Sequence, residues 1–576
     1  MAYFKRETFS GIAPGVSPRL LAEEFAQTAQ NIDFESGRLS PITDDSDSYT
    51  LQSSSRNSIF YYNNANWLEW NDSYVKAAEG PIASDTNKRV YWSGEGGAGG
   101  YPRMGVVSGV VSGSSGYPAT SYRLGVPAPT NAPSVSKSGT ASSTQDPYSV
   151  SYVYTLVTVY GEEGPPSAAT TPIDLTDDET VTVTMASGHV PSGNYNFGTG
   201  ALKRIYRSNT GSTNTTFQFV GSVAIAATSF SDTTDAADLG EVLPSDTWIG
   251  PPDDDTSLYP DGALQGLTPL SHGVFVGFSG KRFCLSEPYL PHAWPVAYRI
   301  TLDEDIVAIG STSDGAVALT DGHPYFITGV DPSAMTAVKL DLAQACVNRE
   351  SVVDMGDYLL YAAPDGLVAV TGGTGRLVTQ GQISVKQWNA SYYPTVIRAF
   401  EHEGTYVAFW SSGGSHGGWI YDPRNERNSL STITSSAEVR GGYMNPKDGQ
   451  LYTIVANKVK KYRGGTTNST LTWKSKKFVT PKPVSMAWIS VHADTYPVTV
   501  KVWADGTLTA QYTLSKSGST YTQATTTPSS ISNVTLQEPV MRLPATIGQE
   551  WEIEVSGAVN INEVCLAQSM AEIRDR

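Results

Sequence analysis

The side chains able to do chemistry in this chain are few and poorly grouped. Glu287, Asp314 and Asp365 are the carboxylates a glycoside hydrolase would use as acid and as base or nucleophile, roughly 5 to 9 Å apart across the scissile bond. Each stands at a predicted β turn, where a carboxylate ordinarily accepts hydrogen bonds from backbone amides. Asp253, Asp254 and Asp255 offer hard oxygen ligands to calcium, as do Asp303, Glu304 and Asp305. Neither run has the spaced ligands and central glycine of an EF-hand loop, and the first reads as a solvated linker. The 7 histidines are scattered. His292 precedes Ala293-Trp294-Pro295 in a loop, where an imidazole bonded to a backbone carbonyl is expected; His272 and His323 sit beside turns. Cys284, Cys346 and Cys565 are far apart, lack metal-ligand spacing, imply no disulfide framework and read as buried thiols suited to a reducing compartment. The glycine-rich runs at 94–100 and 413–418 lack the Lys-Ser/Thr ending of a phosphate-binding loop and read as mobile or tightly turning loops. No catalytic, cofactor-binding or metal site emerges, and the chain is read as a non-enzyme.

The elements that would position such groups are almost all β. A length of 576 residues exceeds what one core usually serves and predicts about three to five domains. With 54 Gly, 34 Pro and only 39% hydrophobic residues, cores must be thin and turns frequent. Charged residues make up only 16%, and 56 acidic against 39 basic side chains leave a net charge of -17, which discourages adhesion to nucleic acid phosphates. The start, Met1-Ala2-Tyr3-Phe4-Lys5-Arg6, is not followed by the apolar core of a signal peptide. Nowhere do about 18 consecutive apolar residues mark a membrane-spanning helix.

Residues 1–42 read as an N-terminal docking arm, with a short helix starting at Ser17-Pro18 and Leu21, Phe25, Ala26 and Ala29 near one face. Residues 43–125 hold short aromatic strands such as Trp67-Leu68-Glu69-Trp70 and Arg89-Val90-Tyr91-Trp92, the cadence of a first propeller segment. The stretch 126–250 contains a long strand candidate at 149–160, the turn Gly161-Glu162-Glu163-Gly164-Pro165-Pro166 and further strands, as in an inserted fibronectin-like β-sandwich. From 256 to 470 a second propeller segment repeats strand, Asp-Gly turn, strand, as in Asp321-Gly322, Asp365-Gly366 and Asp448-Gly449. Together the two segments predict about five to seven blades. Residues 471–576 form a C-terminal β domain in which Val498 to Ala504 alternates before Asp505-Gly506, and Glu552 and Glu554 fall on the wet face. The expected fold class is mainly β and multidomain: a β-propeller with an inserted fibronectin-like sandwich and a C-terminal β-sandwich.

Three phrases carry a resemblance. Phe9-Ser10-Gly11-Ile12, Pro18-Arg19-Leu20-Leu21, Ala26-Gln27-Thr28-Ala29-Gln30-Asn31 and Ser36-Gly37-Arg38-Leu39-Ser40-Pro41 open the chain in a way that resembles short-tailed phage nozzle proteins, the tail tubular protein B class. Gly273 to Pro288, continuing through Pro291-His292-Ala293-Trp294-Pro295, is similar to the start of their second propeller segment. Ile561-Asn562-Glu563-Val564-Cys565-Leu566-Ala567 resembles their closing strand. The resemblance implies a virion structural protein of the tail, assembled in the host cytoplasm. It implies a homo-oligomeric ring, commonly sixfold, beside tail adaptor and tail fibre proteins, forming a channel or gate through which viral DNA passes without sequence-specific binding. The alternative is a receptor- or carbohydrate-binding tail protein, since sandwiches and exposed Tyr and Trp suit sugar stacking.

Overall fold

Period-two alternation and left-handed turn residues account for most of the strands. In Val498–Ala504 the residues Val498, Val500, Val502 and Ala504 point inward and their neighbours are half exposed. Asp505 and Gly506 follow with φ of 47° and 79°, the paired left-handed turn whose twist matches a right-twisted hairpin, and Thr507–Ser517 returns antiparallel. The same arrangement recurs along the computed structural model, which describes residues 3–113, 116–210, 214–424, 429–529 and 533–574. The chain divides into two compact units. One comprises Met1–Ile59, Gly322–Pro324 and Leu340–Arg576; the other comprises Phe60–Asp321 and Tyr325–Lys339.

The first unit is organised around a 12-stranded sheet. Its order runs Arg398–His402, Thr405–Ser412, Ser415–Asp422, Ser429–Thr434, Ala26–Gln30, Leu471–Ser475, Gly548–Gly557, Val498–Ala504, Thr507–Ser517, Thr520–Thr527 and Val534–Leu536, with Phe478–Val484 also paired to Gly548–Gly557. Among the described residues Phe478–Val484 pairs on one side only, and Pro481 and Pro483, which have no N–H to donate, lie in it. A second sheet lays Tyr3–Arg6 antiparallel on Ile561–Ala567, whose other side pairs with Trp488–Ala493, and Val540–Arg542 pairs with the far side of Trp488–Ala493. Beneath these sheets Trp388, Trp419, Trp473 and Trp551 are each at most 1% exposed, each burial being worth about 1.5–3 kcal/mol or more.

The second unit contains open antiparallel sheets of four strands. One is built from Lys76–Glu79, Val90–Ser93, Arg103–Gly105 and Tyr122–Arg123; another from Gln265–Pro269, Phe275–Ser279, Arg282–Leu285 and Ile300–Thr301. Tyr91, Met104, Leu267, Phe275 and Trp294 pack between these two. Within 134–232, Ser134–Gly139, Glu179–Thr184 and Ser229–Asp232 form one sheet, and Tyr152–Val157, Leu202–Thr210 and Thr215–Ala224 another. Val181, Val183, Tyr152, Tyr154, Leu156 and Ile205 share their core, as in a sandwich. The long strand expected at 149–160 is interrupted at Ser151. There the chain leaves Ile173–Leu175 and pairs with Leu202–Thr210, and Ser151 and Ser208 exchange bonds of 2.8 Å at the crossing.

Three expectations need correction. The β-propeller is not what forms: among the described residues no sheet closes into a barrel or propeller. The strands expected as blades make separate four-stranded meanders, and Arg398–His402 to Ser429–Thr434 instead run on, through Ala26–Gln30, into the 12-stranded sheet. The strands of 43–125 and 256–470 are also divided between the two units. Asp-Gly turns encode pairing between neighbours in sequence, whereas closure depends on pairings between distant strands, about which hairpin cadence is silent. The helix at Ser17-Pro18 is a single turn, Leu20 and Leu21 both bonding to the Ser17 carbonyl at 2.8 and 3.2 Å. So short a segment cannot repay helix nucleation, whereas Ala26–Gln30 gains a ladder with Leu471–Ser475. Glu552 is not on a wet face but 5% exposed, covered by Gln27, Lys474 and Lys477.

Candidate functional site

Two of the three carboxylates nominated for acid–base chemistry, those of Glu287 and Asp365, have an architectural use. Glu287 accepts from the Tyr298 hydroxyl at 3.0 Å, and Asp365 accepts from the Gln344 amide at 2.7 Å. Asp314 is exposed beside the turn into Gly315–Thr320, its carbonyl held by Thr328 at 3.1 Å. Asp253 and Asp254 are pinched by the Arg123 guanidinium, which also lies 4.0 Å over the Tyr101 ring. Asp255 accepts from the Ser257 amide and hydroxyl at 3.0 and 2.5 Å, bonds that hold its carboxyl below the usual range. What read as a solvated linker is thus a clasp. Asp303 and Glu304 face Lys339 at 3.7 and 2.8 Å, while the Asp305 amide donates to Asp321. Among the described residues no group of three or more His, Cys, Asp or Glu could hold a metal ion.

The ionic groups most removed from water are ones that the sequence did not single out. Glu162 and Glu163, read as a turn, are both 5% exposed. Arg89 bridges Asp85 at 2.8 Å and Glu162 at 3.2 Å. Glu163 accepts from Thr155 at 2.7 Å, Tyr206 at 2.6 Å and Arg204 at 2.8 Å, so both oxygens are occupied. Deeper in the sandwich Arg207 meets Asp232 at 2.9 Å, with side-chain exposures of 2% and 0%, and Tyr152 donates to the same carboxylate at 2.7 Å. The sequence signal was present but weak: Arg204, Tyr206 and Arg207 lie in one strand, Leu202–Thr210, too long and too buried for its charges to stay unpaired.

His292 is buried, packs edge-on against Trp248 at 6.0 Å and bonds the Glu163 backbone as expected of it. Burial and nearby Arg89 push its imidazole down to about 4. His402, 5.0 Å from Tyr462, is likewise pushed down to about 4 by burial. Cys284 and Cys346 are buried and pushed up to about 12. Both glycine-rich runs are tight turns. Gly413 and Gly414, with φ of 57° and 81°, close the hairpin between Ser412 and Ser415, and Gly97–Gly99 is one 3-10 turn beside Glu95, which bonds Trp92 at 2.7 Å.

Two open grooves in the first unit have room for a ligand. One, of about 480 Å³, is lined by Tyr358, Tyr421, Thr371, Thr374 and Arg376. The other, of about 380 Å³, lies against Trp410, Trp419, Tyr392, Gln30 and Thr434. Both volumes fall in the range of small-molecule sites, about 300–1,000 Å³. Neither was legible in the sequence, since each joins residues from segments far apart in the chain.

No family model matches the chain, and no curated protein does. Among solved structures, it is similar to PorZ, a surface component of the type-IX secretion system of Porphyromonas gingivalis, at 11% identity and a TM-score of 0.24 over 62% of this chain and 37% of that one. It is also similar to the extracellular domain of a hybrid two component system from B. thetaiotaomicron, at 8% identity and a TM-score of 0.20 over 86% and 47%. A third is an engineered GH43 glycoside hydrolase, at 10% identity and a TM-score of 0.16 over 63% and 94%. The chain thus spans less than half of the first two, and none of the three is described as a phage tail protein.

Proposed function

We propose that this protein is a structural subunit of a short phage tail, a wall of the distal nozzle ring through which the genome leaves. The supporting observation is that the opening and closing phrases carrying the resemblance meet in the first unit. Tyr3–Arg6 pairs with Ile561–Ala567, Leu39 bridges Ile561, and Ala26–Gln30 pairs with Leu471–Ser475. A unit in which strands from the opening and closing phrases are sewn into one sheet resists being pulled open, because any strand that leaves must break a ladder of backbone hydrogen bonds at once. The Arg89, Arg123, Arg204 and Arg207 guanidiniums are tied to carboxylates in clasps, which suits a load-bearing part.

The ring would be homo-oligomeric, hexameric by resemblance, in contact with the adaptor and with tail fibres. Viral DNA would pass without sequence-specific contact. A net charge of -17 favours a lumen that repels phosphate, screened by salt over about 10 Å. Native mass spectrometry of the assembled species tests the reading: a closed ring of six copies is expected, and a stable monomer or a trimer contradicts it.

A further inference from the structure

We propose that the groove beneath Tyr392 binds a neutral saccharide. Its floor is one face of the sheet made by Thr405–Ser412, Ser415–Asp422, Ser429–Thr434 and Ala26–Gln30. The register sets two rows across it: Trp410, Gly417 and Thr434 in one, and Trp419, Thr432 and Gln30 in the other. Residues two apart on a strand share a face, so both rows present their side chains to the same side. Tyr392, at the end of the helix Val385–Ser391, lines the same groove.

The aromatic part is held in place before any ligand arrives. Trp410 is half-buried and stacks on Tyr393, with centroids 4.3 Å apart and planes 27° from parallel. A Cβ on Gly417 would come within 2.7 Å of the Trp410 ring, so glycine at that position lets the indole lie across the neighbouring strand. Trp419, at 1% exposure, backs the groove rather than offering it a face, and its indole N–H donates to the Tyr392 carbonyl at 3.2 Å, which leaves Trp410 as the aromatic contact. The polar part is held too. Buried Asn31 takes both the amide and the hydroxyl of Thr434, at 2.9 and 3.1 Å, and its own amide returns a bond to that hydroxyl at 2.9 Å. The Thr432 hydroxyl donates to the Ala29 carbonyl at 3.1 Å. Such fixed hydroxyls lose little freedom when a partner binds.

Charge selects the class of ligand. No Asp, Glu, Lys or Arg lines this groove, in a chain carrying 56 acidic and 39 basic side chains. His416, its Nδ1 engaged with the Ser411 hydroxyl at 2.9 Å, is the one imidazole on the wall, so a nucleotide would leave its phosphates without a lysine or arginine, and an acidic sugar would leave its carboxylate in the same position. A neutral sugar offers what the lining can satisfy: C–H faces for aromatic contact, and hydroxyls for the Gln30 amide and the threonine oxygens. The other groove, with Arg376 on its wall, has the opposite character.

The test uses the full-length protein titrated by calorimetry with oligomers of glucose, galactose, mannose and N-acetylglucosamine. Oligogalacturonate and a short oligothymidylate serve as charged probes. At least one neutral oligomer is expected to bind and to change the tryptophan fluorescence, whereas the charged probes do not. Gln30→Ala should weaken that binding about tenfold with an unchanged melting temperature, and Trp410→Ala should weaken it further. Absence of binding by every neutral oligomer, binding by the charged probes alone, or Gln30→Ala binding as tightly as the parent would each overturn the proposal. The outcome is independent of the nozzle reading, which rests on assembly.

Discussion

The Trp473 indole donates its N–H to the main-chain carbonyl of Ser10 at 3.3 Å, joining positions 463 residues apart in sequence. Phe9 meets the same indole edge-on at 5.0 Å, and Ile12 donates its amide to the Leu430 carbonyl at 2.8 Å. Between them, a Cβ on Gly11 would lie 2.2 Å from that carbonyl oxygen. The phrase Phe9-Ser10-Gly11-Ile12 is therefore a seam of the first unit's core.

Gly11→Ala should destabilise the first unit by about 1–3 kcal/mol, because the obstructing atom is backbone and cannot rotate away. Gly188→Ala, where an added Cβ meets nothing within 4 Å, is the control and should change stability by less than about 0.5 kcal/mol. Guanidinium unfolding curves compare the two, and equal midpoints would refute the seam.

Removing Asp232 should strand the Arg207 guanidinium, whose Nε and second terminal nitrogen already lack partners. Asp232→Ala is expected to cost about 3–5 kcal/mol, whereas Arg207→Met combined with Asp232→Leu should recover most of that loss. Unfolding of the two variants, followed by tyrosine absorbance, distinguishes this ion pair from a merely crowded core position.

Acid should weaken the fold through His292 and His402. Both imidazoles are pushed from 6.5 down to about 4, so below pH 6.5 the unfolded chain takes up protons that the folded chain refuses. Their contribution is complete above pH 6.5, falls as pH drops toward about 4 and levels off below it, by about 3 kcal/mol for each group. His292→Gln and His402→Gln should each flatten the stability profile in that window, as measured by denaturant midpoints at stepped pH. A parent profile flat from pH 6.5 to 4 would contradict this.

The thiols should be silent. Cys284 and Cys346 are buried and pushed up to about 12, and Cys565 is buried in Ile561–Ala567. A disulfide reagent at pH 8 should label none of the three within the time in which it labels all of them in denaturant. Rapid labelling of the native protein would place a thiol at the surface.

The legibility of the chain followed the range of its interactions. Val498–Ala504 with Asp505-Gly506 could be read directly, because alternation and a left-handed turn are properties of adjacent residues. The ladder between Ala26–Gln30 and Leu471–Ser475 could not, and that is why hairpins that look like blades were expected to close into a propeller. Glu552 looked wet because its neighbours alternate, yet Gln27 and two lysines cover it from elsewhere in the chain. Glu162 and Glu163 were hidden for the same reason, their partners Arg89, Arg204 and Tyr206 being distant in sequence. The groove under Tyr392 depends on the parallel pairing of Gln30 with Thr432, which no local pattern announces.

Electron cryomicroscopy of the intact particle tests the central claim most directly. The account predicts density for this chain as a closed ring around the tail axis, with a lumen wide enough for duplex DNA and not predominantly basic. Finding the chain in appendages away from that axis, or absent from the particle, would contradict it.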